Sequence, residues 1–172
     1  MMRRRWHVIA DLCKRNGLRV GAEIGVAEGR FSAALLQACP DLKLWGFDPY
    51  GPGYKTWMGT EWSEAQQLAN RVRAYAVQMH FKPRFTLIEK TSLEAAAWLE
   101  GAQLGFVFID ADHSYDAVKA DIAAWRERVR PGGWLTGHDY DPVKFPGVVA
   151  AVREAFPERL QLEDDFTWMI QL

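Results

Sequence analysis

Acidic residues and histidines recur along this chain at one kind of position, directly after a short apolar run. Glu23 and Gly25 sit at the close of the run 20–24, Asp48 follows 42–47, Asp110 follows 104–109, and His138 and Asp139 follow 134–137. A carboxylate at such a place can hold an ammonium group, accept hydrogen bonds from sugar hydroxyls, orient an imidazole or bind a cation. An imidazole, with an ordinary pKa near 6.5, is the natural proton acceptor at neutral pH. Gly25 and Gly29 are spaced G-x-x-x-G, which lets the backbone pass close to a ligand. This is neither the G-x-G-x-x-G of a pyrophosphate binder nor the G-x-x-x-x-G-K-[ST] of a triphosphate site. Glu28 stands where an anion would approach, so a zwitterionic amino-acid moiety suits the loop better, its ammonium facing a carboxylate. Asp48, at the end of the second run, is placed to accept from ribose hydroxyls. The combination implies an adenosine-containing ligand without a buried pyrophosphate.

The elements that must carry these residues alternate. Helical patterns are expected over 4–16, 31–39, 61–80, 92–99, 116–129 and 148–156, and strands over 20–24, 42–47, 85–89, 104–109, 134–137, 160–163 and 166–170. Leu68, Val72, Ala76 and Met79 lie in register on the long third helix, and Val118, Ile122, Trp125 and Val129 form a stripe on the fifth. Arg130 to Gly133 reads as a turn. Repeated βα units give a mostly parallel sheet with helices on both faces. The last two strands are close enough in sequence to form an antiparallel hairpin. The expected architecture is an α/β, Rossmann-like seven-stranded sheet in the order 3-2-1-4-5-7-6, with strand 7 antiparallel. A fully parallel sheet would favour a dinucleotide site instead. The whole of 1–172 is read as one domain.

Composition narrows the partners. The formal net charge is -1, from 21 basic and 22 acidic residues, so there is no general attraction to nucleic acid. Arg3, Arg4 and Arg5 form the one run of like charge and read as a solvated N-terminus. Cys13 and Cys39 are the two cysteines, expected as buried thiols rather than a bridge. No apolar stretch is long enough to span a membrane, and Asp11, Lys14 and Arg15 interrupt any signal-peptide core, so a cytoplasmic location is the default. Homo-oligomer formation stays open.

Glu23 to Gly29, reading E-I-G-V-A-E-G, resembles the E/D-x-G-x-x-x-G signature of class I S-adenosylmethionine-dependent methyltransferases, and Asp48 matches their ribose-binding acid. Phe108 to Tyr115 (F-I-D-A-D-H-S-Y) and Arg130 to Tyr140 (R-P-G-G-W-L-T-G-H-D-Y) are similar to a small bacterial subgroup. That subgroup is distantly related to macrolide-sugar and catechol O-methyltransferases. The resemblance runs from about residue 18 to the C-terminus. It implies that Glu23, Gly25 and Gly29 line the methionine part of the cofactor, that Asp48 binds the ribose, that Ser92 lies near adenine, and that Asp110 borders the cofactor. It also places Asp110 and Asp139 where metal-dependent relatives hold a divalent cation. The residue after Asp139 is Tyr140, a poor Mg²⁺ ligand, and this departure counts against metal dependence.

Methyl transfer asks the protein for alignment and, with a hydroxyl acceptor, for a base. His113 and His138 are the candidate bases, with Asp110 and Asp139 to orient them. In a regular strand His138 and Asp139 would point to opposite faces, so both reach the site only if the backbone turns there. The arrangement expected is Asp110, His113 and Asp139 around a small-molecule acceptor, with His113 as base or cation ligand and His138 supporting it. A cation held by these three would suit Mn²⁺, Fe²⁺, Co²⁺ or Zn²⁺. Asp112 reads as a capping residue. Tyr50, Tyr54 and Trp57 either border the ligand or fold their loop onto the body. The competing readings are a non-catalytic adenosine-ligand-binding protein of the same fold and an NAD-binding oxidoreductase.

Overall fold

The structure, a computed structural model, describes residues 4–53 and 60–172. Tyr54 and Trp57 lie outside the described residues. The elements follow in the order α1 (Arg5–Asn16), β1 (Val20–Ile24), α2 (Arg30–Ala38), β2 (Lys43–Phe47), α3 (Glu64–Phe81), β3 (Phe85–Ile88), α4 (Ser92–Trp98), β4 (Leu104–Ile109), α5 (Tyr115–Arg126), β5 (Val129–Gly137), α6 (Pro146–Ala155), β6 (Gln161–Leu162) and β7 (Trp168–Gln171). The sheet order is β3-β2-β1-β4-β5-β7-β6, and β7 runs antiparallel to both of its neighbours. The expected topology is met, and the reversed strand removes the all-parallel alternative.

Alternation along the strands builds two cores. Phe106 and Phe108 of β4 face α1 and α2, where Val8, Ile9, Phe31 and Leu35 close over them. Val107 and Ile109 face the opposite layer, with Val118, Ile122 and Trp125 of α5 and Val148 and Val152 of α6. Every residue of β4 is buried, as befits the central parallel strand. Helix ends are set by local chemistry. Ser63 and Thr91 each cap their helix in a reciprocal box with Gln66 and Glu94, and Gly17 ends α1 in the left-handed conformation at φ 62°.

Three expectations need correction. On α3 the stripe Leu68, Val72 and Met79 faces solvent, and Gln67, Asn70 and Ala74 are the buried residues. The helix meets the body at Gly29, where an added Cβ would lie 3.4 Å from Ala74 Cα, so the small side chain of Ala74 selects the face. Val129 does not extend α5; it opens β5, paired with Leu104. The segment 130–133, expected as a turn, is carried within β5 as a register shift against Leu104 and Phe106.

Register is what makes the site. Ile24 pairs with Phe47 and with Ile109, and Ile109 pairs with Gly137. The residues that follow, Gly25, Asp48, Asp110 and His138, therefore leave the sheet at one level, in a row with neighbouring strands about 4.8 Å apart.

Candidate active site at the carboxyl ends of the strands

At the β5 end of the row the backbone turns. Asp139 adopts φ 60°, a conformation rarely taken by a residue other than glycine. The turn brings His138 and Asp139 to the same side, and the Asp139 carboxylate lies between two imidazoles. Its Oδ2 is 2.8 Å from His113 Nε2 and its Oδ1 3.0 Å from His138 Nδ1. The His113 ring stacks on Phe145 at 4.5 Å between centroids. Asp112, expected as a capping residue, accepts from the Ser114 amide at 2.7 Å and so shapes the loop that delivers His113. Burial pulls both imidazole pKa values down, but the bond to Asp139 and the charges of Asp139 and Asp110 outweigh it, and both lie above the ordinary value. Burial raises the Asp139 carboxyl, and the two histidines more than offset that, holding it well below the usual carboxylate range.

The middle of the row is Asp110. Its side chain is 14% exposed, and Arg5 Nε lies 3.3 Å from its Oδ2. Arg5 Nη1 is also 3.5 Å from His138 Nδ1. That nitrogen can donate to Asp139 at 3.0 Å or accept from Arg5, and the shorter charge-assisted bond decides. Arg5 therefore does not belong to a solvated terminus, as the arginine run suggested. Burial raises the Asp110 pKa, with Arg5 and His138 acting against it.

At the β1 and β2 end, Asp48 braces the glycine loop. Its Oδ2 accepts from the amides of Val26 at 3.1 Å and Ala27 at 2.9 Å, and its Oδ1 accepts from Tyr50 N at 3.0 Å. Oδ1 keeps acceptor capacity for a hydroxyl. Tyr50 folds back to the same loop, its hydroxyl donating to Ala27 O at 2.8 Å. Gly25 has φ 88°, and a Cβ there would sit 2.2 Å from Asp110 O, so this glycine is required by the neighbouring β4 backbone. Glu23 is buried and accepts from Ser32 of α2. Burial raises the pKa of Glu23 and of Asp48. Glu28, read from sequence as a barrier to anions, is paired with Arg30 and with Arg73 Nη1 at 2.8 Å, so its charge is offset and that argument falls. Ser92 has its hydroxyl spent between Asp121 and Trp125 Nε1, locking α4 to α5. Burial lifts the Asp121 carboxyl to about 6.

The row is thus rich in carboxyls raised by burial, with Arg5 and two imidazoles facing them. A ligand that carries a sulfonium and an ammonium, with vicinal hydroxyls for Asp48, fits this donor set. A divalent ion fits it less well. Asp110, His113 and Asp139 each offer an atom within 4.8 Å of the others. Arg5, however, engages Asp110, and His113 and His138 take up both oxygens of Asp139. Tyr140 is buried, its hydroxyl accepting from Arg153 Nε at 2.8 Å, and it offers the site no ligand. As arranged, the set is closed on itself. Cys13 and Cys39 are free and buried, and no helix among the described residues is long and apolar enough to cross a membrane.

Comparison with known proteins bears on this arrangement. The family model described as a methyltransferase domain matches residues 22–140. Among curated proteins none matches the chain. Similar solved structures include a Staphylococcus aureus protein assigned as a caffeoyl-CoA O-methyltransferase (TM-score 0.70, 16% identity, 100% of this chain and 85% of that one). The calicheamicin methyltransferase CalS11 has a TM-score of 0.69 at 18% identity, over 95% of this chain and 77% of its own. The O-methyltransferase TomG of Streptomyces achromogenes, involved in tomaymycin synthesis and solved in complex with S-adenosylmethionine, has a TM-score of 0.65 at 14% identity, over 97% and 79%. At these identities the likeness is one of fold.

Proposed function

From a chain that belongs to the methyltransferase-domain family, and is therefore an S-adenosylmethionine-dependent methyltransferase of class I, we propose one reaction. The methyl group passes to a hydroxyl oxygen of a small-molecule acceptor, and His113 removes the hydroxyl proton. The observation that carries this assignment is the Asp139 carboxylate held between His113 and His138 at 2.8 and 3.0 Å. Oxygen as the acceptor atom is further supported by two of the similar structures being named O-methyltransferases.

S-adenosylmethionine supplies an electrophilic methyl carbon on sulfonium; the hydroxyl oxygen bonds to it, the C–S electron pair stays on sulfur, and one proton must leave the oxygen. His113 Nε2, hydrogen-bonded to Asp139, carries the proton in the neutral tautomer and leaves Nδ1 as the basic atom. Asp139 stabilises the imidazolium that forms. The raised pKa makes His113 a stronger base and means that it is free to act only as pH rises through that value. Phe145 holds the ring in place by stacking. Asp110 borders acceptor and methyl donor, and His138 supports Asp139 from its other oxygen. Glu23, Gly25, Gly29 and Asp48 form the cofactor loop, with Asp48 taking the ribose hydroxyls through Oδ1. Ser92 contributes to the adenine side by fixing α4, its own hydroxyl being engaged.

Residues 1–172 act in this reading as one catalytic domain in the cytoplasm, where thiols stay reduced. It needs no nucleic-acid or membrane partner. The test is transfer of tritium from methyl-labelled S-adenosylmethionine to a panel of phenols, catechols and sugars. Wild type should label a hydroxyl compound, and His113→Ala should lose about 100-fold or more in rate. Labelling of amines alone, or an undiminished rate in His113→Ala, would overturn the assignment.

A further inference from the structure

The first turn of α1 delivers a permanent positive charge to the acidic row. Val8, Ile9 and Leu12 are buried in the core with Phe106 and Phe108, so the helix is fixed against the sheet and its first turn is held near the strand ends. Arg5 lies one turn before Val8 and Ile9, with its guanidinium against Asp110 and beside His138. The Asp110 carboxylate is one of the three groups that a divalent ion would need. A guanidinium paired with the Asp110 carboxylate and a doubly charged ion on the same carboxylate repel each other and compete for its negative charge. Both carboxylates also have partners without an ion: Arg5 faces Asp110, and His113 and His138 take the two oxygens of Asp139. Tyr140, the residue after Asp139, is turned into the core and adds no ligand to the cluster.

We propose that Arg5 takes the place of a divalent ion at the Asp110, His113 and Asp139 cluster, so that engagement of Arg5 and binding of a metal ion exclude one another. The proposal rests on the reading of this cluster as the acceptor site. It makes Arg5 a positioning residue. It pairs with the Asp110 carboxylate and keeps it in the row, a task the metal would otherwise perform. Withdrawing Arg5 opens Asp110 to an external cation, so the N-terminal helix decides whether the site is metal-free.

The experiment needs no acceptor. Mn²⁺ is titrated into the purified full chain, and the free ion is followed by electron paramagnetic resonance. Wild type is compared with Arg5→Met, which keeps the aliphatic stem and removes the charge, with Arg5→Gln as a second neutral variant and Arg5→Lys as the charge-retaining one. Both neutral variants should bind one Mn²⁺ about 10-fold or more tightly than wild type. Arg5→Lys should stay near wild type, and adding Asp110→Asn to Arg5→Met should abolish the gain. Thermal unfolding supplies a second readout. Arg5→Met should melt lower than wild type in EDTA and recover with Mn²⁺. Equal Mn²⁺ affinity in wild type and the neutral variants, or no saturable binding in either neutral variant, overturns the proposal. S-adenosylhomocysteine binding to the same preparations is measured by calorimetry. Its absence in wild type would count against the methyltransferase reading, whereas its presence with unchanged Mn²⁺ affinities would count against Arg5 alone.

Discussion

Replacing Asp139 by Asn removes one negative charge and one of two acceptor oxygens from between His113 and His138. A hydrogen bond to a charged group contributes about 1.5–3 kcal/mol, and a neutral one about 1 kcal/mol. The variant keeps only neutral bonds, its Oδ1 accepting from one ring and its Nδ2 donating to the other in the alternative tautomer, and the Asp139 side chain is 19% exposed, so screening removes only part of the difference. The expected loss is about 1–3 kcal/mol near pH 6. The pH dependence gives the sharper check. Each histidine has a folded pKa raised above its unfolded value. Its stabilising contribution is therefore complete below about 6.5 and is lost as pH rises through the folded pKa. Asp139 has a depressed pKa, so its contribution is present above about 3.9 and is lost as pH falls through the lower folded value. The gap between wild type and Asp139→Asn should be widest from about pH 4 to 6.5 and should shrink toward pH 9. Urea unfolding at a series of pH values measures it. A gap that grows toward alkaline pH, or none at pH 6, would refute the bridging role of the carboxylate.

Gly25→Ala should cost about 2 kcal/mol or more, because a Cβ would meet Asp110 O at 2.2 Å and the residue has φ 88°; a thermal melt within a degree of wild type would contradict the close packing of the two strand ends. Asp48→Asn keeps the shape of the loop brace but removes the charge, and S-adenosylhomocysteine binding should weaken by about 10-fold, read by calorimetry. Unchanged affinity in that folded variant would leave Asp48 a purely structural brace for the Val26 and Ala27 amides.

Much of this arrangement is legible in the sequence, and the reasons are physical. Strands β1 and β4 are bounded by abrupt changes from apolar to polar or glycine residues, so both follow the expected ranges to the residue. Chain reversal at the C-terminal hairpin follows from its short connection. The row of polar strand ends follows from topology once the strand order is right. Long-range pairing is less accessible. Arg5 and His138 are 133 positions apart, and nothing in a run of arginines says which one reaches the sheet. Glu28, in the loop before α2, is neutralised by Arg73 of α3, a pairing that the local sequence does not reveal. The covered face of α3 differs from the expected one because periodicity records which residues share a side, while the close approach at Gly29 decides which side is covered. The left-handed turn at Asp139 has no glycine to announce it, so the joint arrival of His138 and Asp139 at the site became visible only in three dimensions.

In the proposed function the row at the strand ends takes S-adenosylmethionine and not a dinucleotide. Calorimetric titration of wild type with S-adenosylhomocysteine and, separately, with NAD⁺ tests it most directly. A saturable one-to-one isotherm is expected with S-adenosylhomocysteine, weakened in Asp48→Asn, and no binding of NAD⁺. Saturable NAD⁺ binding without S-adenosylhomocysteine binding would contradict it.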